Sequence, residues 1–169
     1  MKLKDTLDKL RQAKSAHLGW VIRAQALLNG KPADEDKEPV QHTHCLFASW
    51  YYGEGKKLAG LKSYQAIDEP HKQLHAVYAD ICELLTEDDK GTLLTRFTGQ
   101  YDKQKQQQMH QARIQFRRLQ NLSNILGNKL DMLEKDLRRL ATEAPASLRR
   151  THVERRKQTG LEVNGEVIF

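Results

Sequence analysis

Apolar residues recur at alternating steps of three and four from Met109 to Leu140, and this run constrains the fold more than any other part of the chain. Such a repeat places one continuous apolar seam along a helix and is typical of coiled coils. The seam consists of Met109, Ala112, Phe116, Leu119, Ser123, Leu126, Leu130, Leu133, Leu137 and Leu140. We predict a coiled coil that joins two chains, with Lys129 and Glu134 placed to pair between parallel copies. The alternative is a helix that lies on the bundle of its own chain.

Three further helices are predicted upstream of this run. A stripe of apolar residues with a period of 3.6 covers residues 3–28 and ends at Asn29-Gly30. After a polar loop, a second helix is expected over about residues 44–58, and a third from residue 63 or 68 through 85. The fold class is therefore all-α, an antiparallel four-helix bundle with a long C-terminal coiled-coil helix. We divide the chain into a bundle (1–100), the coiled-coil helix (101–144) and a basic tail (145–169).

Four potential ligands for a soft metal are spread over the first three predicted helices: His17, Cys45, His71 and His75. One thiolate and three imidazoles complete a tetrahedral shell for Zn²⁺, which takes sulfur and nitrogen together. The i,i+4 spacing of His71 and His75 places both on one helix face, although this spacing alone is common. Taken alone, His17 on its apolar face is more typical of a core histidine than of a ligand.

Other histidines are weaker candidates. His42 and His44 flank Cys45 and are rival ligands, and we place them beside the site or on the surface. His110 and His152 lie in the C-terminal extension, where the sequence offers no converging ligands.

Three segments together resemble a known family. They are His17-x-x-Trp20, then Cys45-x-Phe-Ala-x-Trp50-Tyr-Tyr-Gly-Glu-Gly, then Ala66-Ile-Asp-Glu-Pro-His71-x-x-x-His75. Their order and spacing are similar to the bacterial chemoreceptor zinc-binding domain over roughly residues 5 to 90. Ala48 stands where the family has glycine, and we expect this small helix former to preserve the packing.

The resemblance implies a function as well as a site. It implies that His17, Cys45, His71 and His75 bind Zn²⁺ in a homodimeric domain that regulates chemoreceptors or cyclic-di-GMP enzymes in response to zinc or hypochlorous acid. We expect Trp20 and Trp50 to shield the site. The sequence contains no Gly-Gly-Asp/Glu-Glu-Phe signature, so the coiled coil, the tail or a protein partner is expected to carry the output.

The chemistry of the ligands also points to regulation rather than catalysis. Four protein ligands leave no open position for a substrate water. The sequence has no Gly-rich phosphate loop, no His-Glu-x-x-His and no recognisable catalytic triad, so we predict that the protein is not an enzyme. Cys45 near a helix N-terminus has a lowered thiol pKa, and its oxidation to sulfenic acid would remove one ligand and loosen the second helix from the third.

Composition bounds the compartment. The sequence has no apolar run of membrane-spanning length and no signal peptide, so we expect a bacterial cytoplasmic protein with reduced cysteines. We interpret Cys82 as a small buried apolar residue rather than as a disulfide partner of Cys45.

Positive charge is concentrated in the C-terminal part. Residues 1–100 carry 14 basic and 14 acidic residues, whereas residues 101–169 carry 14 and 8. An alternative function is therefore a structural-zinc coiled-coil protein whose basic C-terminal region binds nucleic acid or an acidic partner. We rank nucleic acid below a protein partner, because no aromatic residue lies between the arginines to stack on bases. Asn164-Gly165 is a candidate hairpin turn.

Overall fold

The computed structural model describes residues 2–31, 41–86 and 100–143, and helices dominate these ranges. The helices are α1 (Leu3–Leu28), α2 (Leu46–Tyr52), α3 (Lys62–Gln65), α4 (Asp68–Thr86) and α5 (Gln100–Glu143), with a 3₁₀ turn at Glu54–Leu58. The all-α class and the long C-terminal helix are confirmed. None of the described helices is both long and apolar enough to cross a membrane.

Helix α1 ends where the sequence predicts. Gly30 adopts a left-handed φ of 72°, a conformation that glycine reaches without strain. Its N–H donates to the Leu27 carbonyl at 2.9 Å, and the Lys31 N–H donates to the Ala26 carbonyl at 3.0 Å. These two bonds form a Schellman motif, which satisfies carbonyls that the helix end would otherwise leave unpaired.

Helix α2 is shorter than the predicted 44–58 helix. It ends at Gly53, where a Cβ atom would lie 2.6 Å from the Ser49 carbonyl oxygen. A Cβ atom on Gly55 would lie 2.9 Å from the Trp50 carbonyl oxygen and 3.3 Å from the Trp50 ring. The chain therefore folds tightly back on α2 and continues as a 3₁₀ turn, which only glycines permit here.

Side-chain contacts give the helix directions. Arg11 of α1 lies 3.9 Å from Glu134 of α5, and Lys14, one turn later along α1, pairs with Asp131, one turn earlier along α5. Position numbers rise along α1 as they fall along α5, so these two helices are antiparallel. The rings of His17 and His71 are 5.0 Å apart, and those of Trp20 and Tyr78 4.8 Å apart, so α1 and α4 run the same way. This is the order of an up-down-up-down bundle, in which the first and third helices are parallel.

The heptad seam of α5 is buried inside the chain. Leu119, Leu126, Leu130, Leu133 and Leu137 are at most 1% exposed. They belong to one core cluster with residues of the other helices, among them Leu10, Trp20, Leu74 and Ile81. The structure therefore agrees with the alternative interpretation, in which this helix lies on the bundle of its own chain.

Glu134 is also used within the chain. Its carboxylate pairs with Lys14 of α1 and with Arg138 one turn along α5. The predicted pairing of Lys129 with Glu134 between two chains consequently competes with contacts that the single chain already makes.

Neither Cys45 nor Cys82 forms a disulfide bond within the described residues. Cys82 is half-buried against the core cluster, and burial raises the pKa of its thiol. Several predictions lie outside the described residues: most of the loop around Pro32 and Pro39, the tail at 145–169 with its basic residues, the turn at Asn164-Gly165, and His152.

Candidate metal centre

The four predicted ligands meet at one point in the bundle. His17 comes from α1, Cys45 immediately precedes α2, and His71 and His75 come from α4. Each offers one ligand atom, and the four atoms all lie within 4.8 Å of one another. The side chains are between 0 and 9% exposed. Three helices that are separate in sequence thus place one sulfur and three imidazoles in a buried cluster suited to a metal ion.

A backbone carbonyl orients His17. Its Nδ1 lies 2.6 Å from the Ala13 carbonyl oxygen, one helical turn earlier. A carbonyl only accepts hydrogen bonds, so Nδ1 carries the proton and donates it. The other ring nitrogen, Nε2, then keeps its lone pair for a metal. A metal-binding histidine usually has its second nitrogen fixed in this way.

Cys45 is the N-cap residue of α2. The Ala48 N–H donates to its Sγ at 3.3 Å, and the same sulfur lies 3.3 Å from His71 Nε2. Amide hydrogens at a helix N-terminus and the backbone dipole both favour a thiolate over a thiol. The sulfur is therefore in an environment that supports the charged form in which cysteine binds metals.

His71 is held in its neutral, metal-binding form. Burial, aided by the nearby imidazoles of His17, His75 and His42, lowers its pKa to about 3. Its Nε2 lies 3.3 Å from the Cys45 sulfur, and its buried Nδ1 has no hydrogen-bond partner in the described part of the chain. The donor set and the neutral state of this ring both fit a metal ion.

Aromatic rings surround the cluster. The Trp20 ring lies 4.1 Å from His75 and 6.0 Å from His17, measured between centroids, so Trp20 packs beside the site as expected. Trp50 is one ring further away, in contact with Phe47 at 5.7 Å. Phe47 itself packs edge-on against His17 and His71 at 5.9 and 5.2 Å. Phe47 belongs to the motif that carries the resemblance, but the sequence does not predict that its ring packs on the ligands.

The remaining histidines separate clearly. His42 is half-buried, with its ring 6.2 Å from that of His71 and 6.4 Å from that of His75. His44 is exposed in the same turn, and His110 is exposed on α5. His42 therefore lies beside the four-residue cluster, whereas His44 and His110 lie on the surface.

Two tyrosines, Tyr51 and Tyr64, join α2 to α3 by reciprocal hydrogen bonds, and we call this pair the tyrosine clasp. The Tyr51 hydroxyl donates to the Tyr64 carbonyl at 2.9 Å, and the Tyr64 hydroxyl donates to the Tyr51 carbonyl. The rings stack with centroids 4.3 Å apart. Burial raises the pKa of both hydroxyls, so they remain protonated donors.

A second link joins Tyr52 to the start of α4. Its hydroxyl donates to Asp68 at 2.5 Å, and Lys72 pairs with the other carboxylate oxygen at 2.6 Å. Burial raises the pKa of Asp68, but the hydrogen bonds from Lys72 and Tyr52 outweigh it and the pKa falls below its ordinary value. Neither link is predicted from the sequence, because the partners of Tyr51 and Tyr52 are evident only in the folded chain.

Comparison with known proteins agrees with this geometry. Residues 17–82 match the family model of the chemoreceptor zinc-binding domain, a stretch that begins at the first candidate ligand and includes the other three. The resemblance found in the sequence is confirmed for these residues. No curated protein and no solved structure matches the chain.

Proposed function

We propose that this protein is a zinc-binding regulatory module that converts zinc or oxidant status into a change of helix packing. The observation that carries the proposal is the convergence of four ligand atoms, from α1, the start of α2, and α4, within 4.8 Å. The match of residues 17–82 to a zinc-binding chemoreceptor domain supports it.

In this proposal His17, Cys45, His71 and His75 are the ligands. A bound Zn²⁺ would cross-link the three helices and keep the Cys45 sulfur deprotonated. Three features of the ligands favour metal binding: the tautomer of His17 is fixed, the Cys45 sulfur caps α2, and His71 is neutral. Four protein ligands fill a tetrahedral shell, which supports a regulatory role over a hydrolytic one.

Cys45 is the proposed oxidant-sensitive residue. With hypochlorous acid, the oxidant class that the family resemblance suggests, the thiolate takes up the hydroxyl group to form sulfenic acid and chloride leaves. Sulfur is oxidised by two electrons and chlorine is reduced, so the step is balanced without a further reactant. Cys45 is only 9% exposed, so a small oxidant is the appropriate class.

The two tyrosine links determine which part of the bundle responds. They hold the C-terminal end of α2 to α3 and α4 by hydrogen bonds that do not involve the ligands. Loss of the metal therefore leaves that end joined and releases the ties at Cys45 and at His17. We propose that α1, which packs on α5, shifts relative to the unit formed by α2, α3 and α4.

A homodimer and a protein partner complete the proposal. Large apolar side chains remain exposed on α1 and α5, where a second copy or a partner can cover them: Leu18, Ile22, Ile114, Ile125 and Met132. Sedimentation of the intact protein at tens of micromolar tests the dimer, which predicts twice the chain mass. A monomer at that concentration contradicts it.

The sensing role is tested by following Trp20 while zinc is removed. In a Trp50→Phe variant, Trp20 is the remaining tryptophan, and its ring lies against His75 and His17. We expect chelation, or hypochlorous acid at one equivalent, to change its fluorescence while far-ultraviolet circular dichroism keeps the helical signal. Adding Cys45→Ser should abolish the oxidant response, whereas adding Cys82→Ser should leave it. A fluorescence change that only accompanies global unfolding would support a purely structural metal site.

A further inference from the structure

A fifth imidazole lies at the edge of the ligand cluster. We propose that His42 is a reserve ligand, which occupies the fourth position of the metal site when the Cys45 sulfur no longer donates. This inference rests on the proposed zinc site. It adds a second coordination state, with four imidazoles, in which the metal stays bound after the sulfur is lost.

Ring separations place His42 within reach. Ring centroids of the proposed ligand pairs lie 4.7 Å apart for His71–His75, 5.0 Å for His17–His71 and 5.7 Å for His17–His75. The His42 ring lies 6.2 Å from His71 and 6.4 Å from His75. Its distance to two ligands therefore exceeds the longest ligand pair by less than one ångström.

The local chain allows this small movement. His42 lies in the turn before α2, and its carbonyl oxygen is 3.6 Å from the Cys45 Sγ atom. Because the His42 backbone contacts the sulfur itself, the turn that carries His42 lies next to the position that Cys45 would vacate in the shell. Rotation about the side-chain bonds of His42 is the movement that would bring a ring nitrogen inward.

The surroundings of His42 leave its ring suitable for a metal. The ring is half-buried and packs edge-on against Tyr52 at 6.3 Å. The Tyr52 hydroxyl donates to Asp68, and this hydrogen bond holds the tyrosine ring in place beside His42. Imidazole is a good zinc ligand in place of thiolate. The exchange raises the net charge of the loaded site by one unit, because a neutral ring replaces an anionic sulfur.

The reserve state differs from the ordinary one in affinity rather than in stoichiometry. Thiolate is the softer and more strongly binding ligand, so the four-imidazole site should hold zinc less tightly than the site with Cys45. His42 stands outside the shell while the sulfur donates, so its substitution alone should weaken zinc binding far less than the same substitution does in Cys45→Ser.

The test is a set of zinc affinities measured on the full chain by competition with a chromogenic chelator. The variants are Cys45→Ser, Cys45→Ser/His42→Ala and Cys45→Ser/His44→Ala, together with His42→Ala alone. Serine keeps a capping oxygen at the start of α2, and exposed His44 in the same turn is the matched control. We expect Cys45→Ser to bind one zinc per chain more weakly than wild type. Adding His42→Ala should weaken binding about tenfold or more, and adding His44→Ala should not.

Cobalt spectra provide a second readout that reports coordination directly. With Co²⁺, the sulfur-to-metal charge-transfer band should vanish in Cys45→Ser while the strong visible bands of four-coordinate cobalt persist. Those bands should shift and change intensity in Cys45→Ser/His42→Ala, where an oxygen ligand replaces the fourth imidazole, and stay unchanged in Cys45→Ser/His44→Ala.

The outcomes separate the two claims. Wild type that binds no zinc would overturn the zinc site itself. Wild type that binds zinc, with Cys45→Ser either unable to bind metal or unaffected by His42→Ala, would overturn the reserve ligand alone.

Discussion

Two buried hydroxyls in the tyrosine clasp illustrate what single residues contribute to this fold. Tyr51→Phe removes one of two donors to the Tyr64 carbonyl, which also accepts from the Ile67 N–H at 3.1 Å, and keeps the stacked ring. An ordinary hydrogen bond contributes about 0.5–1.5 kcal/mol to stability. We therefore expect urea unfolding to show a loss of that size for Tyr51→Phe, and at least as large a loss for Tyr64→Phe, which removes the donor to the Tyr51 carbonyl. Tyr101→Phe, at the half-exposed start of α5, is the control and should change stability by less than about 0.5 kcal/mol.

The pair of substitutions also tests whether the clasp is a unit. Because each hydroxyl bonds to the backbone of the other residue, the double variant should lose less than the sum of the two single losses. Strictly additive losses would show that the two bonds act independently.

Glu134 links stability to pH at the residue scale. Hydrogen bonding from Arg138, aided by Lys14 and opposed by burial, lowers the pKa of its carboxyl below the ordinary 4.5. The unfolded chain then binds the proton more tightly than the folded one, so this contribution is complete above about pH 4.5 and is lost as pH falls through the folded pKa. Glu134→Gln should make the stability of the zinc-free protein depend less on pH below about 4.5. At pH 7 the substitution should lower the free energy of unfolding by about 1 kcal/mol or less. Glu143→Gln, at the exposed end of α5, is the control and should change stability at pH 7 by less than about 0.5 kcal/mol.

The glycines within α1 and α5 and the glycine at the end of α2 differ in the space around them, and this decides the effect of replacing each by alanine. A Cβ atom at Gly19 in α1 or Gly127 in α5 would meet nothing within 4 Å. Alanine is favoured over glycine inside a helix by about 0.5–1 kcal/mol, so each substitution to alanine should raise stability by that amount. Gly53→Ala should instead lower stability by about 1–3 kcal/mol, because its Cβ would collide with the Ser49 carbonyl. Thermal unfolding of the three variants checks this, and stabilisation by Gly53→Ala would refute the close approach at the end of α2.

The helices differ in how well their sequence predicts them. Residues 3–28 and 68–86 agree with prediction, since periodic apolar positions and end signals coincide there. The second helix is shorter than predicted, because the chain folds back on α2 and brings Gly53 and Gly55 close to backbone oxygens. No local sequence pattern predicts this fold-back. The heptad of α5 was recognised, but a heptad specifies an apolar seam and not whether the covering helices belong to the same chain.

At the scale of the whole molecule, α5 is part of the core on which α1 and α4 pack. The proposed division of the chain at residue 100 stays a prediction, and truncation tests it. A fragment of residues 1–100 would expose the core faces that α5 covers, among them those of Leu10, Leu74 and Ile81. We expect this fragment to lose its cooperative unfolding transition, whereas a fragment of residues 1–143 should keep it. A folded, zinc-binding 1–100 fragment would instead establish it as an autonomous domain.

The metal cluster was more predictable than its supports. His17, Cys45, His71 and His75 are recognisable because their residue types and spacing carry the chemistry, and the structure brings together these same four. The Ala13 carbonyl, the Ala48 N–H and the ring of Phe47 were not foreseen. Backbone groups have no sequence signature, and a phenylalanine in an apolar helix resembles any other core residue.

The central claim is that these four side chains form one zinc site, and zinc affinity tests it most directly. Protein purified without added zinc should carry one zinc per chain by mass spectrometry. Replacing any of the four by alanine should weaken chelator-competed zinc binding about tenfold or more, whereas His44→Ala and His110→Ala should not change it. Wild type without zinc, or Cys45→Ala with wild-type affinity, would contradict the account.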